Sequence, residues 1–209
     1  MYFKQMAVGS IGNFAYLFGC EKTRVAAVVD PAFHVEKIVQ QAETDGYRIE
    51  VIFSTHGHHD HIGGHNEMIA RTGARVVAHR REEGMLTKSN VPLHLPVDDS
   101  DEVPVGHLVV RIIHTPGHTP GGICLLIDGQ KLITGDTLFI GDCGRTDLPG
   151  GSSRELFESL HNKLKPLDDS ITVYPGHDYG KAPSSTLGEQ KRTNPALRCT
   201  SAAELDALP

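Results

Sequence analysis

The sequence contains no tryptophan and only four cysteines, at positions 20, 124, 143 and 199. The missing tryptophan excludes nothing. The cysteines form no C-x-x-C pair, so neither a disulfide framework nor a structural zinc knot is expected. Reduced thiols in a cytoplasmic protein are the default. Long apolar runs are also missing, which argues against a membrane-spanning helix. The N-terminus has no basic stretch followed by an apolar core, so no signal peptide is expected. Leu17-Phe18-Gly19-Cys20 faintly imitates a lipoprotein cleavage box, but Gly9, Ser10, Gly12 and Asn13 upstream are too polar for a signal core. No Lys/Arg cluster exceeds two or three residues and the net charge is −6, which together argue against a nucleic-acid partner. Repeats, low-complexity tracts and linkers are absent. A length of 209 residues then suits one domain over 1–209.

What the chain does have is histidine, concentrated in Thr55-His56-Gly57-His58-His59-Asp60-His61. His56, His58, Asp60 and His61 place three imidazoles and a carboxylate within six positions, and these converge unless the backbone is fully extended. Imidazole suits zinc and iron, and a carboxylate completes a catalytic set. A purification tag would be terminal and uninterrupted by aspartate. This cluster is internal and follows Ile49–Ser54, whose apolar, β-branched character predicts a buried strand. The cluster is therefore expected on a loop at a strand's carboxyl end, with Ile62-Gly63-Gly64 opening a helix. Loops at such ends carry the chemistry of α/β proteins.

The remaining pattern predicts strands over Tyr2–Val8, Phe14–Cys20, Val25–Asp30, Arg75–Ala78, Leu108–His114, Ile123–Asp128, Lys131–Thr134 and Ile171–Tyr174. Helices are predicted over Val35–Asp45, His65–Thr72 and Ser153–Leu164. Residues 81–104 are polar and contain Pro92, Pro96 and Pro104, so they are expected to be irregular. Two sheets with helices outside follow from this order.

Three further candidate ligands fall at strand ends: His118, Asp136 and His177, each directly after a glycine. Alone, each reads as a turn residue. After the cluster at 56–61 they complete a set of five histidines and two aspartates. Seven ligands exceed one tetrahedral ion and suit two ions sharing a bridge. The spacing differs from the helical H-E-x-x-H type.

His56-x-His58-x-Asp60-His61 followed by His118, Asp136 and His177 resembles the metallo-β-lactamase fold superfamily along nearly the whole chain. The resemblance implies an α/β architecture, the four-layer αβ/βα sandwich, with the metal site at one edge of two sheets. It implies His56, His58 and His118 on one divalent ion, Asp60, His61 and His177 on a second, and Asp136 bridging, with zinc or iron as the metal. Gly135-Asp136-Thr137-Leu138-Phe139 and Cys143-Gly144-Arg145 look like the glyoxalase II branch, which hydrolyses S-acylglutathione thioesters. Cys143-Gly144-Arg145-Thr146-Asp147 and His177-Asp178-Tyr179 also look like the persulfide dioxygenases. Those use one iron, on positions matching His56, His118 and Asp136. Asp147-Leu148-Pro149-Gly150-Gly151 and Thr193-Asn194-Pro195 resemble short bacterial glyoxalase II-like proteins. Only 32 residues follow His177, too few for the helical glutathione-binding domain of full-length glyoxalase II.

The leading expectation is a dinuclear metallo-hydrolase that cleaves a small-molecule thioester. A metal-bound hydroxide would attack, and Asp60 would orient it while binding metal. A mononuclear-iron persulfide dioxygenase is the second reading and a non-enzymatic metal-binding module the third. Arg145 is the candidate for a substrate carboxylate, with an ion pair to Asp142 or Asp147 as its structural alternative. Tyr179 is the second candidate substrate contact, and a packed loop aromatic is its alternative. Cys143 reads as a structural thiol and His59 as the motif's variable position. Oligomer formation is left open.

Overall fold

The alternation of large apolar residues in Asn13–Gly19 already requires a strand covered on both faces. Phe14, Tyr16 and Phe18 enter one apolar layer, and Ala15 and Leu17 enter another. In the computed structural model, which describes residues 1–208, this strand is β2 of a six-stranded sheet. Its neighbours in order are β1 (Tyr2–Val8), β2 (Asn13–Gly19), β3 (Val25–Val29), β4 (Arg48–Phe53), β5 (Arg75–His79) and β6 (Leu95–Val97). β1 to β3 are antiparallel, whereas β3 to β6 run parallel.

The second sheet contains β7 (Glu102–Val105), β8 (Leu108–His114), β9 (Ile123–Ile127) and β10 (Lys131–Gly135). A short hairpin, β11 (Leu138–Phe139) and β12 (Asp142–Cys143), leaves β10, and β13 (Thr172–Pro175) and β14 (Ser185–Thr186) complete the sheet. β10 and β13 pair in parallel, so β8, β10 and β13 end at one edge.

Three apolar layers separate four structural layers. Phe18 and Phe53 of the first sheet meet Ile112 and Leu125 of the second in the central layer. α1 (Val35–Thr44) buries Val35, Ile38 and Ala42 against the first sheet, the helical spacing expected of an amphipathic face. α2 (His59–Ile62) is a single turn, and α3 (His65–Thr72) and α4 (Glu83–Lys88) join the same side. α5 (Ser153–Glu158), α6 (Leu187–Thr193), α7 (Pro195–Arg198) and α8 (Ala202–Asp206) cover the second sheet. The result is an αβ/βα sandwich. No helix among the described residues is long and apolar enough to cross a membrane.

The segment 81–104 departs from the irregular chain expected, because it contains α4, β6 and β7. Both strands lie at sheet edges. Edge strands tolerate Pro96 and Pro104, whose missing N–H groups need no inner partner. The helix expected over Ser153–Leu164 is α-helical only to Glu158 and widens into a π-turn over Ser159–Leu164. Ser152 caps it, its hydroxyl accepting from the Glu155 N–H at 3.2 Å.

Candidate metal centre

Four strand ends deliver the candidate ligands to one edge. β4 leads into His56 and His58, and Asp60 and His61 lie on the turn α2 rather than on open loop. β8 leads to His118, β10 to Asp136 and β13 to His177. The glycines before these three residues allow close packing. At Gly117, with φ 141°, a β-carbon would lie 2.3 Å from the Leu156 nitrogen. At Gly176 it would lie 2.3 Å from Asp136 Oδ1.

Three groups of potential ligand atoms form, one of them Asp30, His56 and His61, and the other two contain the expected ligands. The atoms of His56, His58 and His118 lie within 4.8 Å of one another, as do those of Asp60, His61 and His177. Asp136 stands between them. Its Oδ2 is 3.6 Å from His118 Nε2 and 3.4 Å from His177 Nε2, and its Oδ1 is 3.4 Å from His61 Nε2. His56 Nε2 and Asp136 Oδ1 are buried with no hydrogen-bond partner. Orphaned buried acceptors amid nitrogen and carboxylate donors are what a cation site presents. The donor set therefore fits borderline divalent ions such as zinc or iron.

The far sides of the His61, His118 and His177 rings are tied down. His61 Nδ1 is 3.0 Å from Asp30 Oδ2, and Asp30 also accepts from the Thr55 N–H at 2.8 Å and its hydroxyl at 2.5 Å. His118 Nδ1 donates to the Arg145 carbonyl at 2.8 Å. That bond fixes the tautomer and leaves Nε2 facing the cluster. His177 Nδ1 is 3.3 Å from the Ile11 carbonyl, and Asn13 Nδ2 donates to Asp60 Oδ2 at 3.1 Å. Asp30, Asn13 and Thr55 have no site role in the sequence reading. The only intrinsic signal is at Asp30, where φ is 46°, and that is visible only in the fold.

Electrostatics divides the two groups. Burial, and then the neighbouring His61, pushes His56 well below the ordinary imidazole range; burial and His118 bring His58 down to about 4. Both are therefore neutral, the form that ligates. Burial also opposes charge on His61, but Asp136 and Asp30 outweigh it and raise this ring well above its usual range. His177 likewise resists burial and rises to about 9 through hydrogen bonds to Asp136 and Asp60. Burial would raise Asp136 and Asp60, but the histidines hold both below the usual carboxylate range. The carboxylates thus favour charge on His61 and His177, and the rings in turn favour ionised carboxylates.

A cleft of about 480 Å³ opens on the group, with His58, Asp136, Phe139, Arg145 and Tyr179 in its wall. Tyr179 is 59% exposed and stacks on His177 at 4.6 Å. Arg145 also reaches the cleft, but its guanidinium is engaged by Asp147 through two contacts of 2.6 Å. Cys143 lines the wall half-buried, and burial pushes its thiol up to about 12, which is no nucleophile at neutral pH. His59 is exposed at the rim. A wider cavity of about 700 Å³ adjoins through Asp142 and Tyr179 and holds no candidate metal ligand.

The family model for the metallo-beta-lactamase superfamily matches residues 11–177, and the chain belongs to that superfamily. It is an enzyme superfamily whose members bind divalent metals. A hydroxyacylglutathione hydrolase of Polaromonas sp. is 38% identical over 170 residues, which cover 80% of this chain and 62% of the relative. The chain thus spans less than two thirds of that hydrolase. The human mitochondrial persulfide dioxygenase ETHE1 is 32% identical over 188 residues, covering 88% of this chain and 71% of the relative. The crystal structure of ETHE1 from Myxococcus xanthus superposes with a TM-score of 0.91 at 34% identity, over 100% of this chain and 92% of the other.

Proposed function

We propose that the chain is a dinuclear metallo-hydrolase of the glyoxalase II type that cleaves a small thioester such as an S-acylglutathione. The observation that carries the reading is Asp136, whose two oxygens face His118 on one side and His61 and His177 on the other. That is the placement of a carboxylate shared between two ions. His56, His58 and His118 would hold one ion, and Asp60, His61 and His177 the other. When bound there, divalent ions supply an activated water and a Lewis acid for the thioester carbonyl.

The chain's own residues do the rest. Asp60, held by Asn13, would orient the attacking water through its ionised carboxylate. The departing thiolate is a good leaving group and needs no acid. Phe139 and Tyr179 provide the aromatic part of the cleft wall beside the reacting carbonyl. Arg145 binds a substrate carboxylate once Asp147 yields its place. This reading takes residues 1–209 as one domain of a cytoplasmic protein.

A second reading has its own support. The similarity to Myxococcus xanthus ETHE1 extends over the entire chain, and ETHE1 is the name of a persulfide dioxygenase among the human relatives. Under that reading one iron sits on His56, His118 and Asp136 and the substrate is glutathione persulfide. Paired aerobic and anaerobic assays with metal analysis separate the two. The hydrolase reading expects equal thiol release from S-lactoylglutathione with and without oxygen, and two ions per chain. Oxygen uptake with glutathione persulfide, one iron and no thioester cleavage would reverse the order.

A further inference from the structure

We propose that Glu82 is a positioning residue that sets the spacing of the three-histidine group by clamping the two loops that carry it. The inference rests on reading His56, His58 and His118 as a metal site. Those three residues come from different sheets, so some contact must hold the sheets in register at this edge. Glu82 is completely buried. Its Oε2 accepts from the Gly57 N–H at 2.8 Å, between His56 and His58. Its Oε1 accepts from the Gly121 N–H at 2.7 Å, on the turn just after His118. One carboxylate thus joins both ligand loops through backbone donors that only an acceptor-only group can satisfy together.

The surroundings are shaped for this contact. A β-carbon on Gly121 would meet Glu82 Oε1 at 2.7 Å, and one on Gly57 would meet Glu82 Oε2 at 2.8 Å and Met85 Cβ at 2.6 Å. Both loops close down on the carboxylate because they lack side chains there. The turn Arg80–Glu82 that aims the residue is itself fixed, because His79 Nδ1 accepts from the Arg81 N–H and Arg80 pairs with Asp98. His58, in contrast, makes no side-chain hydrogen bond among the described residues except to His118, at 2.9 Å. Its position is set by the backbone that Glu82 holds.

The test is zinc competition against a chromogenic chelator on the full chain, with circular dichroism on the same samples. His56→Ala identifies the step that belongs to this group. Glu82→Gln, nearly the same size, presents an NH2 to one of the two N–H donors. It is expected to weaken that step by about 10- to 100-fold, the usual effect of losing an outer partner of a metal site, while the spectrum stays native. Leu86→Val, on α4 directly after that turn but facing the apolar layer, is expected to lower Tm without changing zinc affinity. Wild-type affinity in Glu82→Gln, or an equal loss in Leu86→Val, would overturn the clamp. If Glu82→Gln fails to fold, Gly121→Ala decides, since it keeps the carboxylate and displaces its partner loop. Weakened zinc binding with a native spectrum supports the clamp there, and unchanged binding overturns it. A wild-type chain that binds no zinc removes the metal reading itself, an outcome distinct from the clamp's failure.

Discussion

Asp30 Oδ2 lies 3.0 Å from Nδ1 of His61, and both side chains are buried. Asp30 reaches this place from the end of β3 with φ at 46°, a conformation that costs an aspartate of order 1 kcal/mol and persists because Thr55 donates to both carboxylate oxygens. The contact orients the ring and raises its basicity, so that Nε2 faces His177 and Asp136. Asp30→Ala is therefore expected to weaken metal binding in the Asp60, His61 and His177 group by about 10- to 100-fold. Stepwise zinc titration checks this. Affinity equal to wild type would mean that His61 needs no outer partner.

Asp136→Ala removes the one carboxylate that faces both groups. Metal content and turnover are expected to fall together, because neither group then has its shared oxygen. Elemental analysis alongside steady-state kinetics gives the answer. Full activity at unchanged metal content would sink the bridging assignment.

The seven candidate ligands were legible because their local signals are strong. Each follows a β-branched strand and most sit beside glycine, so short-range pattern alone brings them to strand ends. Which strand ends meet was legible only through the family resemblance. The outer partners are different in kind. Asp30 precedes His61 by 31 positions, and Glu82 bridges residues 25 positions before and 39 after it. Nothing local distinguishes these carboxylates from surface ones until the sheets are stacked. α4 escaped notice for a related reason: with six residues and only Leu86 buried, it has no apolar stripe to read.

Acid stability should carry the mark of Asp45. Its Oδ2 accepts from the Tyr2 hydroxyl at 2.6 Å, Gln41 Nε2 at 2.7 Å and the Lys4 ammonium at 2.8 Å. Lys4 first, then Tyr2, holds this carboxyl at about 2, below its ordinary 3.8. A folded-state value below the unfolded one means stability that is fully present above about pH 4 and lost as pH falls through about 2. Urea midpoints of wild type and Asp45→Asn, taken from pH 6 down to pH 2, are expected to differ by a constant amount at the upper end and to converge at the lower. A gap that widens toward acid would contradict the assignment.

Arg145 offers the sharpest test of substrate recognition. Its pair with Asp147 is exposed on both sides, 62% and 66%, and solvent screens such pairs so that they contribute little to stability. Substitution should therefore leave the fold intact, and the backbone carbonyl that holds His118 survives in Arg145→Ala. If the guanidinium clamps a substrate carboxylate, it does so alike in ground and transition states. KM for an anionic thioester should then rise about tenfold with kcat within about twofold, and a neutral thioester should be unaffected. Asp147→Ala frees the same guanidinium and should lower KM for the anionic substrate alone. Should Arg145→Ala leave both substrates unchanged, the pair with Asp147 is the whole role of this arginine, and the anion must be met elsewhere on the cleft wall.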